Sequence, residues 1–278
     1  MKQKLLILIV LLIGSTMSFA QSLVSYRFEE RSLSLGGGYT NVLDTYLSPL
    51  KYQGAHVSVL GERFTQTQAE SKRWFTQSLF YLHGDYATPR SGSGLTVSGM
   101  ADYSYTSYYK VAAKGKQFRF YAGPQGQLRI GGIYNLRNSN NPAQLKLGVN
   151  LAASAMVKYV FTGWHIPMNV RLQADLPLLG IAFGPNYGQS YYEIFYLGQG
   201  KGCVHMTALH NNLSLRSNFS YDIQLRPCTL RLTFANDLYQ WTLGRQHYRM
   251  FSHSVMVGCV KDLYHVGREE EAKKSIPY

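Results

Sequence analysis

Charge is scarce in this chain. Only 15% of its 278 residues are Asp, Glu, Lys or Arg, against roughly 25% in an average soluble domain. Acid is scarcer still, with 15 Asp+Glu facing 28 Lys+Arg for a formal net charge of +13. Disorder requires much charge and few aromatics, yet 14% of the chain is Phe, Trp or Tyr, with 22 Tyr alone. Cysteine is limited to Cys203, Cys228 and Cys259. An odd number at wide spacing is no disulfide framework, and no Cys-x-x-Cys suggests zinc. Gly36-Gly37-Gly38 lacks the Lys-Ser/Thr of a phosphate loop, and no Gly-x-Ser-x-Gly elbow exists. The eight His show no metal-ligand spacing. Long apolar runs are missing beyond the extreme N-terminus, which excludes a bundle of membrane helices.

That one run has a specific form. Lys2 and Lys4 precede the apolar stretch Leu5 to Ile13, and Ser18-Phe19-Ala20 is a small-x-small site before Gln21. These are the three parts of a cleaved secretory signal peptide, expected over residues 1–20. The run is too short to span a bilayer core of about 30 Å.

The remainder repeats with period two. From Asn212 to Leu225, Leu213, Leu215, Phe219, Tyr221, Ile223 and Leu225 share one parity; Ser214, Arg216, Asn218, Ser220, Asp222 and Gln224 share the other. Successive side chains on a strand point to opposite faces, so one face is oily and one wet. The pattern recurs in Gly148 to Phe161, Ile166 to Leu176 and Leu95 to Tyr109. A soluble sandwich buries such oily faces; a transmembrane barrel turns them to lipid. Strands of about 11–15 residues, aromatics near strand ends and connectors of alternating length favour the barrel. The expected fold is an all-β transmembrane antiparallel barrel over residues 21–266, followed by a charged tail over 267–278. Ten strands are expected, near 31–40, 54–66, 72–85, 94–110, 117–124, 145–161, 166–177, 204–225, 228–241 and 247–261. Twelve is the alternative, with Gly123-Pro124-Gln125-Gly126 as a turn that frees 127–135, and 203–210 separating from 212–225. Tight connectors are expected near Thr67-Ala69, Ala112-Lys116, Thr162-His165 and Arg226-Pro227. Long ones are expected near Asn41-Gln53, Tyr86-Ser93, Gly123-Gln144 and Pro177-Gly202.

Three segments carry a family likeness: Tyr46-Leu47-Ser48-Pro49-Leu50-Lys51-Tyr52-Gln53-Gly54, Asn138-Ser139-Asn140-Asn141-Pro142-Ala143-Gln144 and Tyr187-Gly188-Gln189-Ser190-Tyr191-Tyr192-Glu193-Ile194-Phe195. With the signal peptide and Tyr-rich strands, the chain resembles an uncharacterised outer-membrane β-barrel family of Bacteroidetes bacteria. The resemblance implies location and architecture, and no activity or functional residues.

Arg or Lys facing lipid costs about 2–4 kcal/mol at the midplane. Asp102, Arg119, Lys158, Arg171, Asp175, Arg216, Asp222 and Arg231 are therefore expected in the lumen, as a selectivity ring or as a paired plug. Tyr187, Gln189, Tyr191, Tyr192 and Glu193 lie in the longest connector and are candidates for a latch or a rim lid. A hairpin centred on Leu243-Gly244 would place Cys228 opposite Cys259. The expected function is a non-enzymatic outer-membrane barrel, either a small channel or an envelope scaffold. The alternatives are an assembly or secretion component and a rim-active lipid-modifying enzyme using His253 between Ser252 and Ser254. No cofactor or metal is expected. The cations are dispersed, so the expected partners are outer-membrane lipid, lipopolysaccharide and other envelope proteins, not nucleic acid. The expected location is the Gram-negative outer membrane.

Overall fold

A computed structural model describes residues 27–67, 73–114, 117–163, 165–225 and 228–265. The expected signal peptide and the charged tail lie outside these residues, as do parts of the turns expected near Thr67-Ala69, Ala112-Lys116, Thr162-His165 and Arg226-Pro227. The strands are β1 (Arg27–Asp44), β2 (Ser48–Thr67), β3 (Trp74–Pro89), β4 (Thr96–Lys114), β5 (Phe118–Asn135), β6 (Ala143–Gly163), β7 (Ile166–Phe183), β8 (Val204–Ala208), β9 (Leu215–Gln224), β10 (Thr229–Leu243) and β11 (Gln246–His265). One short helix, α1 (Tyr191–Phe195), lies between β7 and β8. Each strand pairs antiparallel with its neighbours, and β1 pairs with β11 along its whole length.

β8 and β9 both pair with β7, β8 against Leu179 to Phe183 and β9 against Met168 to Asp175. They are two pieces of one stave, so eleven strands make a closed antiparallel barrel of ten staves. Closure leaves no sheet edge.

The twelve-strand alternative fails at β5. Gly123-Pro124-Gln125-Gly126 runs straight through the ladder, with Gly123 opposite Ser154 and Gly126 opposite Leu151. Glycine is needed there for approach rather than for turning. A Cβ on Gly123 would sit 1.9 Å from the Ser107 carbonyl oxygen. The separation of 203–210 from 212–225 is real, but it adds no stave.

The staves run longer than the alternation shows. The connector expected over Asn41-Gln53 shrinks to Thr45-Tyr46-Leu47, Gly123-Gln144 shrinks to 136–142, and Pro177-Gly202 becomes 184–203. Inward positions near the outer end hold Val42, Ile133, Trp241 and Tyr248, all buried. Large apolar side chains there interrupt an inward face that also holds Asp44 and Lys146, and the period-two signal weakens.

Below it the alternation holds. In β3, buried Phe75, Gln77, Leu79, Tyr81, His83 and Asp85 alternate with less buried neighbours. Outward residues include Leu151 at 65% exposure and Val57 at 71%. One bulge breaks the parity. Leu151 faces Leu179 while Ala152 faces Pro177, so Leu178 is an extra residue. Buried positions pass from Arg171, Gln173 and Asp175 to Ala182. An inserted residue re-aims every side chain beyond it.

Gly244 and Arg245 close the β10–β11 hairpin with φ of 54° and 66°, the left-handed pair of a two-residue type I′ turn. The hairpin is centred one residue later than expected. Leu230 therefore faces Cys259 and the continued register sets Cys228 opposite Lys261. The two thiols are not bridged but lie diagonally within hydrogen-bond reach of each other.

Candidate functional site

Inward side chains from opposite walls meet in three charged layers. In the layer nearest the chain termini, Arg231 on β10 donates to Asp222 on β9 through Nε at 2.6 Å and NH2 at 2.7 Å. It also donates to Glu62 on β2 at 2.8 Å and to Glu30 on β1 at 2.7 Å. Arg171 on β7 reaches across to the same Glu62, with its NH2 at 2.6 Å from Oε2 and its NH1 on Oε1. Lys158 on β6 lies 3.5 Å from Glu30 and 4.1 Å from the Phe64 ring centroid. Three cations thus face three carboxylates.

Uncharged groups continue this layer. Gln77 on β3 donates to Glu62 at 2.6 Å and to Gln173 on β7 at 2.8 Å. Ser154 donates to Asp175 at 2.5 Å, and Tyr108 donates to Gln77 at 3.2 Å.

In the middle layer, Arg129 on β5 grips Asp102 on β4 through Nε at 2.5 Å and NH2 at 3.1 Å. It crosses to Asp237 on β10 at 2.5 Å and stacks 3.7 Å from the Tyr239 ring centroid. Arg216 on β9 lies 3.0 Å from Asp102 and 3.5 Å from Asp237. Near the outer end, Lys146 pairs with Asp44 at 2.7 Å and sits 3.8 Å from the Tyr248 ring centroid.

Each Arg and Lys in these layers has a carboxylate partner, as burial in a low dielectric demands; buried Asp175 is held by Ser154 and Gln173 instead. Little space is left in the middle and outer layers, whereas a cavity of about 150 Å³ opens beside Glu30 and Asp222 in the layer nearest the termini. The cavity beside Asp102, Arg129, Arg216 and Asp237 holds about 20 Å³. The one beside Asp44, Lys146 and Trp241 holds about 10 Å³. One water needs about 10–15 Å³.

Of the eight charges expected in the lumen, Asp102, Lys158, Arg171, Asp175, Asp222 and Arg231 are buried inside, and Arg216 is inside and nearly so. Arg119 stands apart. It has the inward parity of β5 but is exposed at the mouth. Sequence reasoning missed Glu30, Glu62, Arg129, Asp237, Asp44 and Lys146. Asp237 shares parity with Arg231, so extending that strand pattern would have found it. Arg129 was lost with the second half of β5. Glu62 follows His56, Ser58 and Leu60 on its face, and that mixed face gives no clear alternation.

His83, Asp102 and Asp237 each bring one possible metal-ligand atom within 4.8 Å of the others. The fit to a cation is poor. Both carboxylates already carry Arg129 and Arg216, and two guanidinium charges beside an ion oppose its binding. His83 is tied through Nδ1 to Asp85 at 2.8 Å, and its Nε2 is buried without a hydrogen-bond partner.

Ser252 and Ser254 do not accompany His253. Ser252 points inward to Thr40 at 3.2 Å, and Ser254 points inward to His56 at 2.6 Å. His253 lies on the outer face, 2.7 Å from Asn236. Ser254, His56 and Asp85 make a row inside the barrel, but His56 Nδ1 is 4.0 Å from Asp85. That exceeds a hydrogen bond, and all three residues are almost wholly buried.

The longest connector, 184–203, crosses the outer mouth. Tyr187 N donates to Gly244 O at 3.1 Å, and Tyr46 OH donates to Gln189 O at 3.2 Å. On the opposite wall, Leu145 N donates to Tyr191 OH at 2.7 Å. Gln189 knits the segment internally, accepting from Asn186 N at 3.1 Å and donating to Gln199 O at 2.5 Å. Of the other candidate latch residues, Tyr187 and Tyr192 project outward, 80% and 60% exposed. Glu193 completes a capping box with Ser190. Asn138 in the 136–142 turn donates to Leu47 O at 3.0 Å and accepts from Asn140 N and Asn141 N, tying a second loop into the same cover.

Two outcomes follow for this cover. Tyr191→Phe leaves Leu145 N unpaired and is expected to cost about 1 kcal/mol locally, read as roughly fivefold faster amide exchange at Leu145. The bonds from the Ser190 backbone N–H and hydroxyl hold the Glu193 carboxyl below its ordinary value. The cap is therefore complete above the ordinary glutamate range and is lost as pH falls through the depressed value. Amide protection across α1 should drop at acid pH in the wild type, be low at every pH in Glu193→Ala, and lose its pH dependence in Glu193→Gln, which keeps an acceptor for the Ser190 N–H.

A closed ten-stave antiparallel barrel with a charged lumen is the architecture of outer-membrane β-barrels. The chain belongs to the protein family of unknown function DUF3316, whose profile matches residues 4–270. No curated protein matches it in sequence. Among solved structures it is similar to the outer membrane protease OmpT from Escherichia coli, at 5% identity and a TM-score of 0.46, covering 89% of this chain and 100% of that one. The translocator domain of the autotransporter NalP from Neisseria meningitidis matches at 8% and 0.40, over 90% and 91% of the two chains. An outer membrane channel from Pseudomonas putida F1 matches at 8% and 0.34, over 89% and 98%.

Proposed function

We propose that this protein is a closed, non-enzymatic barrel of the Gram-negative outer membrane that acts as an envelope scaffold rather than as an open channel. The carrying observation is the lumen. Arg231–Glu62, Arg171–Glu62 and Arg129–Asp237 join facing walls at two heights, and the 184–203 segment covers the mouth. A path for hydrated ions needs a water-filled interior, and the middle and outer layers leave room for single waters. Outward Leu, Val and Ile between aromatic girdles, with Tyr86 and Tyr134 near one rim and Trp74 and Phe118 near the other, suit lipid contact. Export through a signal peptide over 1–20, contact with lipopolysaccharide, binding of other envelope proteins and an origin in Bacteroidetes belong to the same reading. The basic-apolar-small pattern of the N-terminus and the three family-like segments support it.

Planar-bilayer recording tests the closed interior. The refolded wild type is expected to give no stable conductance steps. Reproducible steps would replace the scaffold reading with the small channel. Cross-linking in intact cells tests docking, and a lone monomer band with no envelope partner would count against it.

A further inference from the structure

The lipid-facing wall is not equally oily all round. β6 sends Val149, Leu151, Ala153, Ala155 and Val157 outward through its middle. The wall made by β9, β10, β11 and β1 differs. Its outward positions include Ser217, Asn236 and His253, aligned in one row by the pairing of Asn236 with both Ser217 and His253. They form a hydrogen-bonded chain. His253 Nδ1 lies 2.7 Å from Asn236 Oδ1, and Asn236 Nδ2 donates to Ser217 Oγ at 3.3 Å. Asn236 is the central residue of the 15-residue β10, so the chain sits near the middle of the membrane-facing belt. On the same wall, Asn41 Oδ1 and Arg249 Nε are buried without hydrogen-bond partners.

Polar groups turned toward hydrocarbon are costly and mark functional surfaces. The donor pattern here says what is missing. Because the Asn236 amide is spent on Ser217, its Oδ1 must accept from His253 Nδ1–H. In a neutral imidazole that leaves Nε2 as an acceptor. The Ser217 hydroxyl hydrogen and the second Asn236 amide hydrogen remain as donors. Nε2 and these donors have no partner among the described residues.

We infer that the β9–β10–β11–β1 wall is the interface of a homodimer, two copies side by side around a two-fold axis along the membrane normal. Insertion gives both copies the same orientation and depth. A second copy therefore presents its own acceptor and donors at the height where this one needs them. A two-fold interface is self-complementary by construction, and side-chain hydrogen bonds between membrane-embedded segments add modestly to such contacts. Ser217 or Asn236 of each copy donates to His253 Nε2 of the other. Arg249 and Asn41, nearer the outer rim, lie on the same surface. This inference rests on the outer-membrane reading.

The test is association in lipid vesicles, by single-molecule photobleaching over a range of protein-to-lipid ratios. The wild type is expected to dimerise. The double variant Asn236→Leu, His253→Leu suits a lipid-facing wall and should fold, with a dimer dissociation constant raised at least tenfold. Leu151→Ala on the far wall should leave association unchanged. A second variant, Asn236→Cys in a chain with Cys203, Cys228 and Cys259 changed to Ser, should cross-link to a dimer in the membrane. A folded wild type that stays monomeric in vesicles at every ratio overturns the dimer while the membrane reading stands. A double variant that associates as tightly as the wild type also overturns it. A wild type that is folded and remains in the aqueous fraction instead of floating with the vesicles overturns the membrane reading itself.

Discussion

Arg231→Ala is expected to lower folding stability by about 3–5 kcal/mol, the largest loss for any single side chain in the lumen. Arg231 serves Asp222, Glu62, Glu30 and the Ser32 hydroxyl at once. Its side chain is 1% exposed, so water does not replace what alanine removes. Among the described residues Asp222 keeps Asn169 at 3.2 Å; Glu62 retains Arg171 and Gln77. Two cations then face three carboxylates, and each leftover charge pays its desolvation alone. Arg119→Ala is the control. Arg119 is exposed at the mouth, and surface substitutions fall within about 0.5 kcal/mol. Denaturant unfolding of the protein refolded into vesicles reads both. Equal stability for the two variants would mean that water reaches the lower layer. Adding Asp222→Asn to Arg231→Ala should recover part of the loss, because residues in one network do not add independently.

Leu151→Arg is expected to cost about 2–4 kcal/mol, the depth-dependent penalty for a cation on the lipid face. Leu151 is 65% exposed in the isolated chain and lies mid-strand in β6. In water, such a leucine could be exchanged for arginine with almost no effect. In hydrocarbon, the guanidinium must snorkel or be desolvated. The same unfolding measurement therefore decides what covers the outer wall. A change under about 0.5 kcal/mol would mean solvent or headgroups there, and the membrane reading would fall. Val57→Arg on β2, at 71% exposure, repeats the test on another wall.

The two substitutions probe opposite faces of the same pattern, and the sequence predicts those faces unequally. Leu151 and Asn150, or Leu232 and Arg231, alternate so regularly that their faces can be read without coordinates. Arg129 could not be assigned. Gly123-Pro124-Gln125-Gly126 has the composition of a turn, and only the close passage of the Ser107 carbonyl explains the glycine. Glu62 shares its inward face with Leu60 and Phe64, because this lumen alternates apolar clusters with charged layers. A rule of wet inside and oily outside loses such residues. The placement of Cys228 failed for a smaller reason: the left-handed Gly244-Arg245 pair shifts the hairpin centre by one residue.

The latch residues divide the same way. The Ser190 to Glu193 spacing is a capping box visible in the letters. That Tyr191 would meet the amide of Leu145, 46 residues away, is not. Side-chain direction on a strand is a local property of the backbone, and it repeats every two residues whatever the rest of the chain does. The sequence by itself therefore determined the class of fold, the stave count to within two and the face taken by most lumen charges. Which charges meet depends on closure. Glu62 finds Arg171 and Arg231 because the registers of all ten staves bring β2, β7 and β10 to one height across the lumen. That relation is nonlocal, and only the tertiary structure decided it.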